Sequence, residues 1–190
     1  YQWLEVLMEP LDLAIHYDFY LEAYEPIRQQ LVRDGSDQLL LATCLNKLAY
    51  NFHKKGSYDQ AEPLYRQALE IRVQILGAEH LDTASSQNNL AALLGDLGKF
   101  AEAELLYQES LKIRKKVLGN VHPDTATIFE NFSTLLMHQS QYQKAKPLCL
   151  DAIEIRRQTL GEIHSHTARS YNNLAFVLEH QNRYKVAERL

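Results

Sequence analysis

Asn88-Asn89-Leu90-Ala91, followed by Gly98 and then by Phe100, Ala103 and Tyr107, is the stretch from which the fold can be read. Its triplet Asn89-Leu90-Ala91 returns 42 residues later as Asn131-Phe132-Ser133 and again as Asn173-Leu174-Ala175, with Lys47-Leu48-Ala49 as an earlier copy. The same step carries Leu76-Gly77 to Leu118-Gly119 and Leu160-Gly161, and His80 to His122 and His164. It also carries Tyr58 to Phe100, Tyr142 and Tyr184, and Ala61 to Ala103, Ala145 and Ala187. Self-similarity at a fixed period of this size marks a solenoid, in which each unit packs only on its neighbours.

Within a unit the apolar residues recur at three- and four-residue steps, the spacing of one helix face. In the first repeat Leu41, Leu45, Leu48, Ala49 and Phe52 line a first helix, and Lys55-Gly56-Ser57 turns the chain. Tyr58, Ala61, Tyr65, Ala68, Leu69 and Ile75 then form the inner face of a second helix. Leu76-Gly77 ends it, with the glycine expected in the left-handed conformation that closes many helices. The second repeat uses Leu90, Ala91, Leu94, Phe100, Ala103, Tyr107, Ser110 and Leu111 in these places, and the third uses Phe132, Ser133, Leu136, Tyr142, Ala145, Cys149 and Ala152. A fourth shows Leu174, Ala175 and Leu178, then Tyr184 and Ala187 on a second helix.

These boundaries predict an array over residues 36–190, divided into 36–77, 78–119, 120–161 and a truncated fourth repeat over 162–190. Residues 1–35 fit the period poorly. They read as a degenerate leading unit of two or three helices, opened or interrupted by Pro10 and Pro26, that caps the apolar end of the first repeat. The chain begins at Tyr1 and ends about two turns into a helix that is longer in the sister repeats, so a longer parent protein is expected.

Composition bounds the function. Hydrophobic content of 46% with 23% charged residues is that of a folded chain rather than a disordered one. A formal charge of -4 supplies neither the basic footprint of a nucleic-acid binder nor a polybasic membrane anchor. No apolar run approaches the roughly 20 residues of a membrane span. Cys44 and Cys149 show no ligand spacing, and Cys149 stands where the sister repeats hold Tyr65 and Tyr107. Two reduced thiols in the packing fit a cytoplasmic setting.

The eight histidines offer little chemistry. His80, His122 and His164 lie a whole period apart, in separate connectors, and read as parts of the turn where a helix begins. His164 and His166, with His138 or His180 nearby, lack a carboxylate or cysteine at ligand spacing, so no metal is expected. There is no glycine-rich phosphate loop, no nucleophile elbow and no motif-placed carboxylate pair, so neither an enzyme nor a cofactor is expected. The arginines at 72, 114 and 156 form a ladder that reads as structural, pairing with carboxylates such as Glu70 and Glu154.

Asn-Leu-Ala, the turn at Gly98, then Phe100, Ala103, Tyr107 and Ser110 resemble the tetratricopeptide repeat, whose small, aromatic and alanine positions come in this order within roughly 34 residues. The longer period, Ile113-Arg114-Lys115-Lys116-Val117-Leu118-Gly119 and His122-Pro123-Asp124-Thr125-Ala126 resemble the long-helix subtype of kinesin light chains. Related repeats occur in nephrocystin-3-like proteins and in the tails of NACHT and other STAND signalling NTPases. The resemblance implies an all-α fold, a right-handed α-solenoid of antiparallel helix pairs forming a TPR superhelix.

It also implies that the first helix of each pair lines a concave groove, on the side away from the apolar stripe. The candidate partner-binding residues are then Asn46, Tyr50, His53 and Lys54; Asn88 and Asp96; Glu130, Thr134 and His138; and Arg169, Asn172 and Phe176. The asparagine amides can both donate to and accept from a ligand backbone. Lys54 and Arg169 against Asp96, Glu130 and Glu179 leave such a groove near neutral, which does not indicate an acidic ligand. Chaperone-binding relatives grip a carboxyl terminus with lysine and asparagine one turn apart, where this chain has Asn46 and Tyr50. The expected function is a non-catalytic scaffold or adaptor that holds a peptide or helix of a partner protein, not nucleic acid and not a membrane. The alternative is a sensor or regulatory arm of a larger signalling NTPase that packs on its own chain.

The small residues carry the pairing. Ala49 with Ala61, Ala91 with Ala103 and Ser133 with Ala145 let two helices approach closely. Ala103→Leu is expected to overpack its pair and lower stability by roughly 1–3 kcal/mol in a circular dichroism melt. An unchanged melt would refute the pairing.

Overall fold

The computed structural model describes the backbone of residues 24–33 and 37–187, and side chains as far as residue 181. Expectations for residues 1–23, including Pro10, and for the Tyr184 and Ala187 side chains lie outside the described residues. What is described is helical, without a strand: α1 over 24–33, α2 Gln38–Lys54, α3 Tyr58–Leu76, α4 Leu81–Asp96, α5 Phe100–Leu118, α6 Pro123–His138, α7 Tyr142–Leu160 and α8 Ser165–Ala187. They form two compact units, one reaching Ala78 and the other beginning at Glu79.

In the first unit α2 packs on α3. Asp37 starts α2 by accepting the Leu40 amide on its side chain, 2.9 Å, which satisfies one of the amides a helix start leaves open. Ala49 and Ala61 are fully buried beside Leu48 and Tyr65. On the other side Leu31 of α1 joins Leu41, Ala42, Cys44, Leu45, Ala68 and Ile71, with Tyr24 and Leu64 partly buried against them. Ile75, expected inside, is 49% exposed, because the last turn of α3 runs past this core.

The second unit repeats the plan. α4 pairs with α5 and α6 with α7; α5 packs on α6 and α7 on α8. Ala91, Ala103, Ser133 and Ala145 are all fully buried. The Tyr107 ring stacks on Phe132 at 5.6 Å and so ties one pair to the next. First helices also meet side by side: a Cβ on Gly95 of α4 would stand 2.8 Å from Leu135 Cδ1 of α6. Only hydrogen fits there.

The helix ends correct one expectation. Gly77, Gly119 and Gly161 have φ of 88, 86 and 88° but ψ of 164, 175 and 166°. This is the extended region open to glycine alone, not the left-handed helical one. It turns the chain outward into each connector. Each connector then ends on a histidine. Nδ1 of His80, His122 and His164 accepts the amide of the residue two places on, at 3.0, 3.1 and 3.2 Å, so each histidine caps its first helix.

α8 departs from the sequence expectation. It runs without a break from Ser165 to Ala187, through position 182, where the sister repeats turn at Gly56, Gly98 and Ser140 with φ of 76, 73 and 58°. Asn182 continues the helix, keeping backbone hydrogen bonds that a turn would break. Among the described residues no second helix covers α8. Leu174 is half-buried, and Ala175 and Leu178, counterparts of buried Ala91 and Leu94, are exposed.

His122→Ala is expected to remove a cap and lower stability by about 1 kcal/mol, while His122→Asn, which offers an equivalent acceptor, loses little. Urea titrations of the two variants check this, and equal losses would mean that the imidazole does not act as a cap.

Candidate functional site

Arg72, Arg114 and Arg156 each lie four residues before the end of a second helix, and they are 8%, 8% and 2% exposed. A buried guanidinium requires partners, and the fold supplies them from the first helices. Arg72 donates to Thr43 Oγ1 at 3.4 Å. Arg114 donates to Ser85 Oγ at 2.8 Å and pairs with Asp124 of the next first helix at 3.0 Å. Arg156 donates to the His166 carbonyl and to Ser170 Oγ, both at 2.8 Å, and to Glu130 at 2.7 Å. The ladder is structural, and Arg114 and Arg156 pair with carboxylates of the next repeat and of their own, but Glu70 and Glu154 are not the partners. Glu70 accepts from Gln74, and Glu154 accepts from Gln158.

Glu130 is not an open groove residue. It is 4% exposed and receives Arg156 on one side and the fork of Arg169 on the other, Nε to Oε1 at 2.8 Å and Nη2 to Oε2 at 2.5 Å. Asn173 reaches the same carboxylate at 3.5 Å. Burial pushes this carboxyl up, but the hydrogen bonds from Arg169 and Arg156, and then their charges, outweigh it and hold it below the usual range. Two arginines on one carboxylate leave a net positive charge here, where the near-neutral tally had counted Glu130 as free.

Asn88 is engaged in a similar way. Its Oδ1 accepts from Asn131 at 3.0 Å and its Nδ2 donates to Asn89 Oδ1 at 3.2 Å, so it helps bind α4 to α6. Thr134 is half-buried and donates to the Glu130 carbonyl at 3.0 Å. Asp96 and His138 are exposed at the C-terminal ends of α4 and α6. On α8, Arg169 keeps 55% of its side chain in solvent, Asn172 is exposed, and Phe176 is 45% exposed. Phe176 lies 4.0 Å from the His180 ring and 6.3 Å from Tyr142, an aromatic group that the sequence reading had not assembled.

In the first unit Tyr50 is 43% exposed, and Lys54 Nζ sits 5.4 Å over its ring. His53 is half-buried, edge-on to Tyr58 at 5.7 Å and Tyr65 at 6.3 Å, and Asn46 is half-buried. One signal in the sequence could have exposed the Glu130 cluster. Glu130 interrupts the column Asn46, Asn88, Asn172, and Arg169 interrupts the column Thr43, Ser85, Thr127. Two neighbouring departures of opposite charge, one repeat apart, mark an ion pair.

Among the described residues no group of three His, Cys, Asp or Glu side chains could hold a metal. The His164 and His166 rings stack at 5.3 Å, and burial followed by the Arg156 and Arg169 charges lowers the His166 pKa. Cys44 and Cys149 are free and buried, and burial pushes both thiols up. No helix among the described residues is long and apolar enough to cross a membrane.

Glu130→Gln leaves Arg156 buried without its counter-charge, and is expected to cost about 3 kcal/mol at pH 7. The folded carboxyl titrates below the unfolded one, so the stability it confers is present above about pH 4.3 and lost as pH falls through the lowered folded value. Wild type and variant should therefore converge on acidification. Urea titrations of both at pH 7 and pH 3 check this, and a pH-independent gap would contradict it.

The tetratricopeptide repeat pattern matches residues 40–116 and 124–190. No curated protein matches the chain. Solved structures share its fold. BtubC (BKLC) from P. vanneervenii is 24% identical with a TM-score of 0.76, over 88% of this chain and 69% of that one. A variant of a Podosopora anserina protein described as a kinesin light chain of nearly identical TPR-like repeats is 21% identical with a TM-score of 0.75, over 94% and 89%. Apo RapI is 23% identical with a TM-score of 0.70, over 88% of this chain and 45% of that one. The chain belongs to the tetratricopeptide repeat family, a class of non-catalytic protein-interaction modules, and has the all-α repeat fold seen in kinesin-light-chain-like arrays.

Proposed function

We propose that this chain is a scaffold that binds a peptide or helix of a partner protein along the faces of its first helices. The second helices and the inner stripes of the first are consumed in packing. What remains open on the first helices combines aromatic rings with groups that bond a polypeptide backbone. The exposure of Tyr50, beside Lys54, and of Phe176, beside His180, is the observation that carries this reading. Large aromatics left in solvent next to polar groups are the residues around which interface energy concentrates.

The division of labour among the candidate residues follows from their bonding. Asn88 and Glu130 hold neighbouring first helices in register and give the binding face its shape, while Thr134 bonds back onto its own helix. Tyr50, Lys54, Asp96, His138, Arg169, Asn172 and Phe176 are the side chains offered to a ligand, with Asn46 and His53 half-buried behind them. Arg169 is held by the fork on Glu130, so its remaining N–H groups are presented in a fixed direction at little entropic cost.

The test is selection of binding peptides from a random library on the intact array, followed by separate titrations against a Tyr50→Ala and a Phe176→Ala variant. Loss of one or the other ring is expected to weaken each selected peptide at least tenfold, the scale of a hot-spot residue. Peptides that bind both variants as tightly as wild type would move the binding site to another face.

A further inference from the structure

A cleft of about 320 Å³ is lined by Lys115, Asn120, Phe129, Asp151, Glu154 and Ile155. It is the junction at which α5, the connector and α6 meet α7. At neighbouring junctions of the same unit the equivalent side chains close on one another. One period later Glu162 joins Arg157, 2.6 Å, to the Tyr171 hydroxyl, 2.7 Å. One period earlier Gln87 donates to Glu109 at 2.9 Å.

At the middle junction both closures are missing. Asn120 stands where Glu162 would join the cation to the ring, and Phe129 stands where Gln87 would donate to the carboxylate. Two consequences are visible. Lys115 rests its ammonium 4.7 Å over the Phe129 ring. Asp151, the counterpart of Glu109, receives no donor among the described residues. Glu154 lies one turn further along α7 on the same wall, where it accepts from Gln158 and stands 3.8 Å from Arg157. The cleft thus has an aromatic and aliphatic floor that already attracts a cation, and a wall that presents the open carboxylate of Asp151.

We infer that this cleft receives an arginine side chain from a partner protein, its stem on Phe129 and Ile155 and its guanidinium on Asp151 and Glu154. The guanidinium is the cation whose planar fork matches a carboxylate while its face stacks on a ring. Lys115 is exposed and unbranched, and it moves off the ring as the arginine enters.

The test is a nitrogen-15 NMR titration of the intact array with N-acetyl-arginine amide, with the neutral isostere N-acetyl-citrulline amide as control. Saturable shifts are expected at the amides of residues 115, 120, 129, 151 and 154 with arginine and not with citrulline. Asp151→Asn, an exposed and structurally neutral change, should weaken binding about tenfold, and Lys115→Met, which removes the internal competitor, should strengthen it. Absence of saturable shifts up to about 50 mM, equal shifts with citrulline, or indifference to Asp151→Asn would overturn the inference.

Discussion

Close approach of two helices at a column of small residues is the constraint on which everything else rests. With Ala or Ser at 49, 61, 91, 103, 133 and 145, the backbones of a pair come near enough for the neighbouring Leu48, Leu90 or Phe132 to fill the space beside them. Side chains there are fully buried and have no freedom to rearrange, so density rather than specificity of contact holds each pair. Once a pair is fixed, the positions of the connector, the capping histidine and the next first helix follow. A larger residue in that column would displace all of them together.

Polar stitching acts on top of this packing and does a different task. The buried arginines reach from second helices to hydroxyls and carboxylates of first helices, and Asn131 and Asn173 reach from one first helix to the one before. A hydrogen bond that satisfies a buried charge contributes modestly when made and costs heavily when broken. Such bonds therefore select one register of repeat on repeat more than they add stability. The Glu130 cluster is the strongest case, since it ties α6, α7 and α8 at one carboxylate and leaves Arg169 partly in solvent.

The period made the helices, their pairing and their inner faces legible from sequence, because each small or aromatic position was stated several times over. Residues that break the period were the hard ones. Glu130 looked like surface because its three sister positions are amides, and its burial depends on Arg156 and Arg169, which come from other helices. Ile75 and Leu178 followed the apolar pattern yet lie open, since burial depends on what covers a face and not on its own residues. The glycine stops were placed correctly along the chain, but the conformation adopted there depends on the path of the connector, which local sequence does not encode. Histidine caps were read as part of the turn, and only the Nδ1 distances give them a role.

The account turns on first-helix faces being the surface that meets a partner protein. Site-specific photo-cross-linking tests it most directly, with p-benzoylphenylalanine placed at Asn172 on α8 or, as control, at Gln108 on the outer side of α5. The account predicts discrete cross-linked protein products from Asn172 and none from Gln108. Products from Gln108, with none from Asn172, would contradict it.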